Sequence, residues 1–182
     1  MNHLADIGRT ATGDNAAFAR LVEAHQGMIF GYLGRMGLDA ATAEDIAQET
    51  FLRLWRHAAR FDPTRAGLAT WLLTIARNLA LSHLARPARR AECSPAEGLP
   101  EVVSNEPSPD EVLVLRQRQV RLRQALAQLE PADRSLLAAA YVQDLDTAAL
   151  ARLEGCSPGA AKTRLHRAKA RLRRLMEDDD ER

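Results

Sequence analysis

The chain has 182 residues and a formal net charge of +1, with 46% apolar and 27% charged residues. This is a globular composition, and it excludes a disordered or fibrous chain. Aromatic residues make up only 4%, and most apolar positions are Leu or Ala, which favours helices over strands. We expect an all-α fold. No apolar run approaches the roughly 18 residues of a membrane span, and the first residues lack the apolar core of a signal peptide. We therefore expect a cytoplasmic protein.

The sequence offers no arrangement of residues suited to chemistry on a substrate. Cys93 and Cys156 lie far apart, and the five histidines show no metal-ligand spacing. No nucleophile, base and orienting acid are grouped, and no glycine-rich phosphate loop occurs. These observations predict a protein without a metal, a cofactor or an enzymatic activity.

Proline and charge divide the chain into segments. Pro95, Pro100, Pro107 and Pro109 interrupt an acidic stretch, so helix cannot continue and little can be buried. We predict a linker over residues 92–112, between an N-terminal module (14–91) and a C-terminal module (113–176), with an acidic tail (177–182). Thirteen Lys or Arg and five acids give residues 113–176 a charge of +8. Modules this small are marginally stable alone, so we expect them to dock on a larger partner.

Three helices are predicted in the N-terminal module. Asp14 caps the first, whose apolar residues recur at helical spacing up to Gly37. Asp39, or the Thr42 box that ends at Asp45, begins the second, and the third covers about residues 68–85. Trp71 has two interpretations, a core side chain or a base-stacking one, and its spacing favours the core.

Two of these helices have a polar face. The second presents Asp45, Gln48, Glu49 and Arg53. The third presents, on or near its exposed side, Thr70, Thr74, Arg77, Asn78 and Arg86.

In the C-terminal module, a helix of about residues 112–129 ends before Pro131, and a second (132–142) is expected to bury Leu136, Leu137 and Tyr141. Thr147 is expected to cap a short helix that Gly155 ends with a left-handed turn. Ser157 then caps a long helix, to about residue 176, with proline in its first turn. The order is helix, tight turn, helix.

The last helix has an apolar side and a basic side. Its candidate DNA contacts are Ser157, Lys162, Thr163, Arg164, His166, Arg167, Lys169 and Arg171. A helix of this width fits the major groove, where its first turns reach base edges and flanking cations hold phosphates. The alternative is a solvated basic surface without a ligand.

Four segments resemble one family. Residues 126–134 (LAQLEPADR) and 159–168 (GAAKTRLHRA) are similar to region 4 of sigma-70 family factors. Residues 45–55 (DIAQETFLRLW) and 70–80 (TWLLTIARNLA) resemble regions 2.2 and 2.4 of its extracytoplasmic-function (ECF) group. The motifs occur in the family's order and cover most of the chain.

The resemblance implies an RNA polymerase sigma factor. In such a factor, the second helix of the N-terminal module would dock on the coiled coil of the polymerase clamp through Asp45, Gln48, Glu49 and Arg53. The third helix would contact the -10 promoter element, with Asn78 at the recognition position and the loop 62–69 capturing a flipped base. The last helix would contact the -35 element, and an anti-sigma factor would be the inhibitor.

Two alternative functions remain possible from the sequence. A decoy that only sequesters an anti-sigma factor would not need the cations of the last helix. A stand-alone helix-turn-helix regulator would leave the N-terminal motifs unexplained.

Overall fold

The computed structural model describes residues 3–85, 109–142 and 145–180, and the side chains of 3–85, 118–141 and 145–177. Every regular element within these ranges is helical, which confirms the all-α prediction. The elements are α1 (His3–Ala11), α2 (Asn15–Arg35), α3 (Ala40–His57), a 3-10 turn (Ala58–Arg60), α4 (Leu68–Leu84), α5 (Pro109–Gln128), α6 (Pro131–Val142), α7 (Thr147–Glu154) and α8 (Pro158–Asp180). None of the described helices is long and apolar enough to cross a membrane.

Aspartates begin two of the N-terminal helices, as predicted. The Asp14 carboxylate accepts hydrogen bonds from the amides of Ala16 (2.9 Å) and Ala17 (3.0 Å). Asp39 accepts from the amide of Thr42 at 2.9 Å. These amides have no partner inside the helix, so the caps satisfy them. The same hydrogen bonds lower the pKa of both carboxyl groups.

Helix α1 was not predicted. Its nine residues bury Ile7 and Thr10 against the rest of the N-terminal module, and Asp6 accepts a hydrogen bond from Arg20 Nε of α2 at 3.1 Å. A helix this short is unstable alone, so packing on α2 stabilises it. The N-terminal module therefore begins before residue 14.

The core of the N-terminal module lies between α2, α3 and α4. Leu33, Leu54 and Leu72 are completely buried there. Trp71 is only partly buried, with its ring 5.4 Å from that of Phe61. Trp71 therefore packs against the core with part of its side chain and exposes the rest to solvent.

The C-terminal module departs from the predictions at two side chains. Tyr141 is 63% exposed although it lies one turn after the buried Leu137, because it is in the last turn of α6, beyond the buried stretch that ends at Ala139; its ring packs under Lys169. Asp146, not Thr147, caps α7 by accepting from the Ala149 amide at 2.7 Å. A carboxylate is favoured at this position because it also interacts with the positive end of the helix dipole.

Two helix limits of the C-terminal module also differ. Helix α5 starts at Pro109, inside the predicted linker, and α8 continues to Asp180, into the predicted acidic tail. Arg173 and Glu177 are four residues apart, a spacing that stabilises helix. Residues 86–108, with most of the predicted linker, Cys93 and Arg86, lie outside the described residues.

The two modules pack on each other. One hydrophobic cluster contains residues of α2, α4, α6 and α7, and α2 and α4 contact α6 while α4 also contacts α7. Tyr32 and Ser135 share a buried 2.8 Å hydrogen bond, and Arg134 donates to the Met36 carbonyl at 2.8 Å. The sequence analysis did not predict this contact between the modules.

Candidate nucleic-acid interface

Helix α8 is positioned by a tight turn after α7. Gly155 adopts the left-handed conformation (φ +62°) that ends α7, and the Ser157 hydroxyl accepts from the Ala160 amide at 3.3 Å. Ala161 and Ala168 face inward and are completely buried. The turn, the cap and the inward face are therefore as predicted.

The outward face of α8 carries half of the eight predicted -35 contacts. Lys162, Thr163, His166 and Arg167 are exposed, and their spacing places them on one side of the helix. The Thr163 hydroxyl donates to the Gly159 carbonyl at 3.0 Å. This side presents cations and polar groups to solvent in the first three turns, where a groove-binding helix contacts bases.

Other predicted -35 residues have partners inside the protein. Arg171 forms an ion pair with Asp133 of α6, and the Lys169 ammonium lies 5.0 Å from the centre of the Tyr141 ring. Arg164 Nη1 lies 3.6 Å from Glu154 Oε2. These residues are exposed but already engaged.

Helix α4 presents fewer of its predicted -10 contacts than expected. Asn78 is exposed. Thr70 is only 6% exposed, so its placement on the exposed side was wrong. Thr74 donates its hydroxyl to the Thr70 carbonyl at 2.7 Å. Arg77 pairs with Glu154 of α7, and Arg86 lies outside the described residues. The reason is that α4 packs on α3 from one side and on α7 from another.

A cavity of about 570 Å³ lies beside the start of α4. Its wall includes Phe61, Trp71 and Thr70, and Arg152 of α7. In the adjoining turn the Asp62 carboxylate accepts from the Thr64 hydroxyl (2.6 Å) and amide (2.9 Å), which lowers the Asp62 pKa. This volume is within the range of small-molecule pockets, and an apolar ring with nearby cations suits a nucleobase.

The cavity wall extends beyond the predicted loop 62–69. Arg65 lies within that loop, Arg60 and Phe61 come just before it, and Arg152 comes from the other module. Arg60 and Phe61 were detectable from their position beside the loop. Nothing in the sequence connects Arg152 to it.

The polar face of α3 is formed as predicted. Asp45 and Gln48 are exposed, and Glu49 accepts from Arg53 Nε at 2.8 Å across one helical turn. Leu52 lies on the same face and is 40% exposed. The sequence prediction assigned Leu52 to neither face of this helix, although its spacing from Gln48 and Glu49 places it on the polar one.

Among the described side chains, no group of three His, Cys, Asp or Glu is arranged to hold a metal ion. Cys156 is a half-buried free thiol.

Two family models match the chain: "Sigma-70 region 2" over residues 21–90 and "Sigma-70, region 4" over residues 119–172. The chain is 37% identical to the ECF RNA polymerase sigma factor RpoE of Cereibacter sphaeroides over 163 residues, 90% of this chain and 88% of that protein. It is 32% identical to the ECF RNA polymerase sigma factor SigL of Mycobacterium tuberculosis over 177 residues, 96% and 97% of the two chains.

Two solved structures share the fold. The first is CnrH in complex with the cytosolic domain of CnrY, with a TM-score of 0.70, 22% identity and 97% coverage of both chains. The second is the sigma factor RpoE of Bartonella quintana in complex with the anti-sigma factor NepR, with a TM-score of 0.64, 24% identity and coverage of 88% and 96%. The helix-turn-helix, the polar face of α3 and these relatives agree: the chain belongs to the sigma-70 family and is an ECF-type sigma factor, a promoter-recognition subunit of RNA polymerase.

Proposed function

We propose that the outward side of α8 and the exposed side of α4 divide promoter recognition between them, while the polar face of α3 binds the polymerase. Residues 113–176 hold the -35 element, residues 14–91 hold the -10 element and the polymerase clamp, and residues 92–112 connect them. The chain acts by binding, in the cytoplasm, and performs no bond chemistry itself. The observation that carries this proposal is the outward side of α8, where Lys162, His166 and Arg167 are exposed directly after a helix-turn-helix turn.

At the -35 element, α8 enters the major groove. Arg167 lies on the exposed side with Thr163 one turn before it, so both reach the same stretch of groove. An arginine at such a position pairs with guanine or holds a phosphate. The two roles differ in their dependence on sequence and salt, which makes them separable.

At the -10 element, Asn78 and the cavity beside α4 cooperate. Asn78 is exposed on α4, and an asparagine side chain can pair with adenine through two hydrogen bonds. A base flipped from the strand loses a few kcal/mol of stacking. Phe61 and Trp71 in the cavity wall provide aromatic surface that replaces part of it.

On the polymerase side, the face of α3 docks on the coiled coil of the clamp. Asp45 and Gln48 provide exposed polar groups, and Leu52 provides an apolar centre between them and Arg53. An apolar centre with a polar rim is typical of protein interfaces. An anti-sigma factor, as in the RpoE–NepR complex, would inhibit by covering these faces.

The test is promoter binding and transcription with purified core polymerase. Promoters come from transcript start sites mapped after overexpression. Gel shifts that require core polymerase support a sigma factor, shifts without it support a stand-alone regulator, and none supports a decoy.

The Arg167→Ala variant tests whether the exposed outward side of α8 contacts the -35 element. We expect -35 binding to weaken by about 1–3 kcal/mol if Arg167 contacts a base, or the salt slope to fall by about 0.9 if it contacts one phosphate. Arg118→Ala is the matched control, because Arg118 is an exposed arginine of α5 in the same module. Equal behaviour of the two variants would contradict the -35 assignment.

A further inference from the structure

Two cations of α8, Lys169 and Arg171, contact α6 from different sides. The Arg171 guanidinium forms an ion pair with Asp133 in the first turn of α6. The Lys169 ammonium lies 5.0 Å from the centre of the Tyr141 ring, in the last turn of the same helix. Successive residues of a helix are rotated by about 100°, so a separation of two residues corresponds to about 200°. The two side chains therefore leave α8 on nearly opposite sides.

The inward side of α8 lies between these two side chains. Ala161 and Ala168 are completely buried there, and Leu165 and Leu172 pack against the same cores. Apolar burial is not directional, so these small and flexible side chains hold α8 against the module but restrain its rotation only weakly. The two polar contacts supply that restraint, because a rotation of α8 in either direction pulls one of them apart.

The rotation of α8 decides what its outward side can contact. Lys162 and Arg167 lie on that side, and base recognition requires side-chain atoms within hydrogen-bond distance of a base edge. A rotation of about 20° moves a group that lies about 6 Å from the helix axis by about 2 Å. This displacement is enough to break a hydrogen bond.

We propose that Lys169 and Arg171 are positioning residues for -35 recognition: through Tyr141 and Asp133 they fix the rotation of α8, and they do not contact DNA themselves. This rests on the proposed function, since the rotation matters only if α8 contacts the -35 element. The Arg171 side chain is 56% exposed, and an exposed ion pair adds little stability. Losing it therefore leaves the module folded and lowers its discrimination between DNA sequences.

The first arm of the test measures sequence discrimination by the holoenzyme. The affinity for a mapped promoter is divided by the affinity for the same fragment with a randomised -35 element. Arg171→Ala and Tyr141→Leu should each lower this ratio about fivefold, the lower end of the range for losing one base contact, and leave the salt slope unchanged. Tyr141→Phe, which keeps an aromatic ring under Lys169, should recover most of the ratio. Arg174→Ala, at an exposed arginine of the same helix, is the matched control and should keep the wild-type ratio.

An exchange of charges separates positioning from a DNA contact. Arg171→Asp places two carboxylates together and should lower the ratio, and adding Asp133→Arg should restore most of it. If Arg171 instead holds a phosphate, Arg171→Ala should weaken binding to both fragments equally and reduce the salt slope by about 0.9. That result, or an exchange that restores nothing, would overturn the positioning role.

The second arm needs neither DNA nor polymerase. The chain has only two lysines, Lys162 and Lys169, so isotope-labelled lysine gives two side-chain signals by NMR. The Tyr141 ring should shift the Lys169 signal upfield, and both Tyr141→Leu and Arg171→Ala should reduce that shift while the Lys162 signal stays in place. A Lys169 signal that does not respond to Arg171→Ala would overturn the joint control of the rotation.

The two arms also distinguish this proposal from the proposed function. Equal behaviour of Arg167→Ala and Arg118→Ala would remove the -35 assignment and with it the recognition role of the rotation. The lysine signals would still decide whether the two contacts with α6 fix α8.

Discussion

Gly37, between α2 and α3, has two independent reasons to be glycine. Its φ is +78°, a conformation that L-residues rarely adopt, and a Cβ at this position would lie 2.5 Å from Arg134 Nη1. Arg134 is buried, and its guanidinium donates to the carbonyls of Met36 at 2.8 Å and Leu129 at 3.0 Å. The glycine thus admits an arginine that fastens the end of α2 to the other module.

The cost of Gly37→Ala follows from these two features. The left-handed conformation costs an alanine about 1–2 kcal/mol. The added Cβ forces the flexible end of the Arg134 side chain to move away. The move breaks a hydrogen bond from a charged donor, which costs about 1.5–3 kcal/mol. We expect the free energy of unfolding to fall by about 2.5–5 kcal/mol in total.

Urea unfolding followed by circular dichroism measures this loss. Gly155→Ala is the matched control, because Gly155 has φ +62° and a Cβ added there would meet nothing within 4 Å, so only the conformational cost of about 1–2 kcal/mol applies. In an Arg134→Met background, Gly37→Ala should likewise cost only that amount. Equal losses for the two glycine variants in the wild-type background would refute the reasoning.

Three further predictions concern the -10 face, a helix cap and the contact between modules. Asn78→Ala should weaken -10 recognition by about 1–3 kcal/mol, measured by transcription with core polymerase, and unchanged transcription would remove the -10 assignment. The Asp39 cap lowers the pKa of its carboxyl group below 3.8, so its stabilisation is complete above the unfolded pKa and is lost as pH falls through the folded one. Urea midpoints of Asp39→Asn should therefore depend less on pH below about pH 4 than those of the wild type, and parallel curves would contradict this. Burial raises the pKa of Tyr32, whose hydroxyl stays protonated and bonded to Ser135. Tyr32→Phe should cost about 1–3 kcal/mol because Ser135 loses its buried partner, whereas adding Ser135→Ala should recover part of the loss; a purely additive double variant would show that the two hydroxyls are not coupled.

Local signals in the sequence predicted most helix limits. Asp14, Asp39, Gly155 and Ser157 act where the sequence placed them, because capping and left-handed turns depend on a few neighbouring atoms. Helix α1 was missed because its stability comes from contacts with α2. Such contacts leave no signal within nine residues.

The exposed residues of the candidate site could be predicted where a helix has one apolar face and one polar face. Helix α3 has one apolar and one polar face, so the prediction that Asp45 and Gln48 are exposed was correct. Helix α4 is apolar on several sides and buries Leu72, Leu73 and Ala76 together, so its exposed side could not be identified from spacing. Thr70 was therefore assigned to the wrong side.

The charge of residues 113–176 illustrates what a sequence total cannot distinguish. The +8 was taken as a DNA-binding charge, yet Arg134 is buried and holds the end of α2, and Arg171 is paired with Asp133. Met36 and Arg134 are 98 residues apart, so no local pattern connects them. The exposed cations on the outward side of α8 include Lys162, Arg167 and Arg173, fewer than the total suggests. Because electrostatic attraction to DNA depends on the phosphates actually contacted, we expect this smaller set to hold DNA more weakly than the +8 of residues 113–176 indicates.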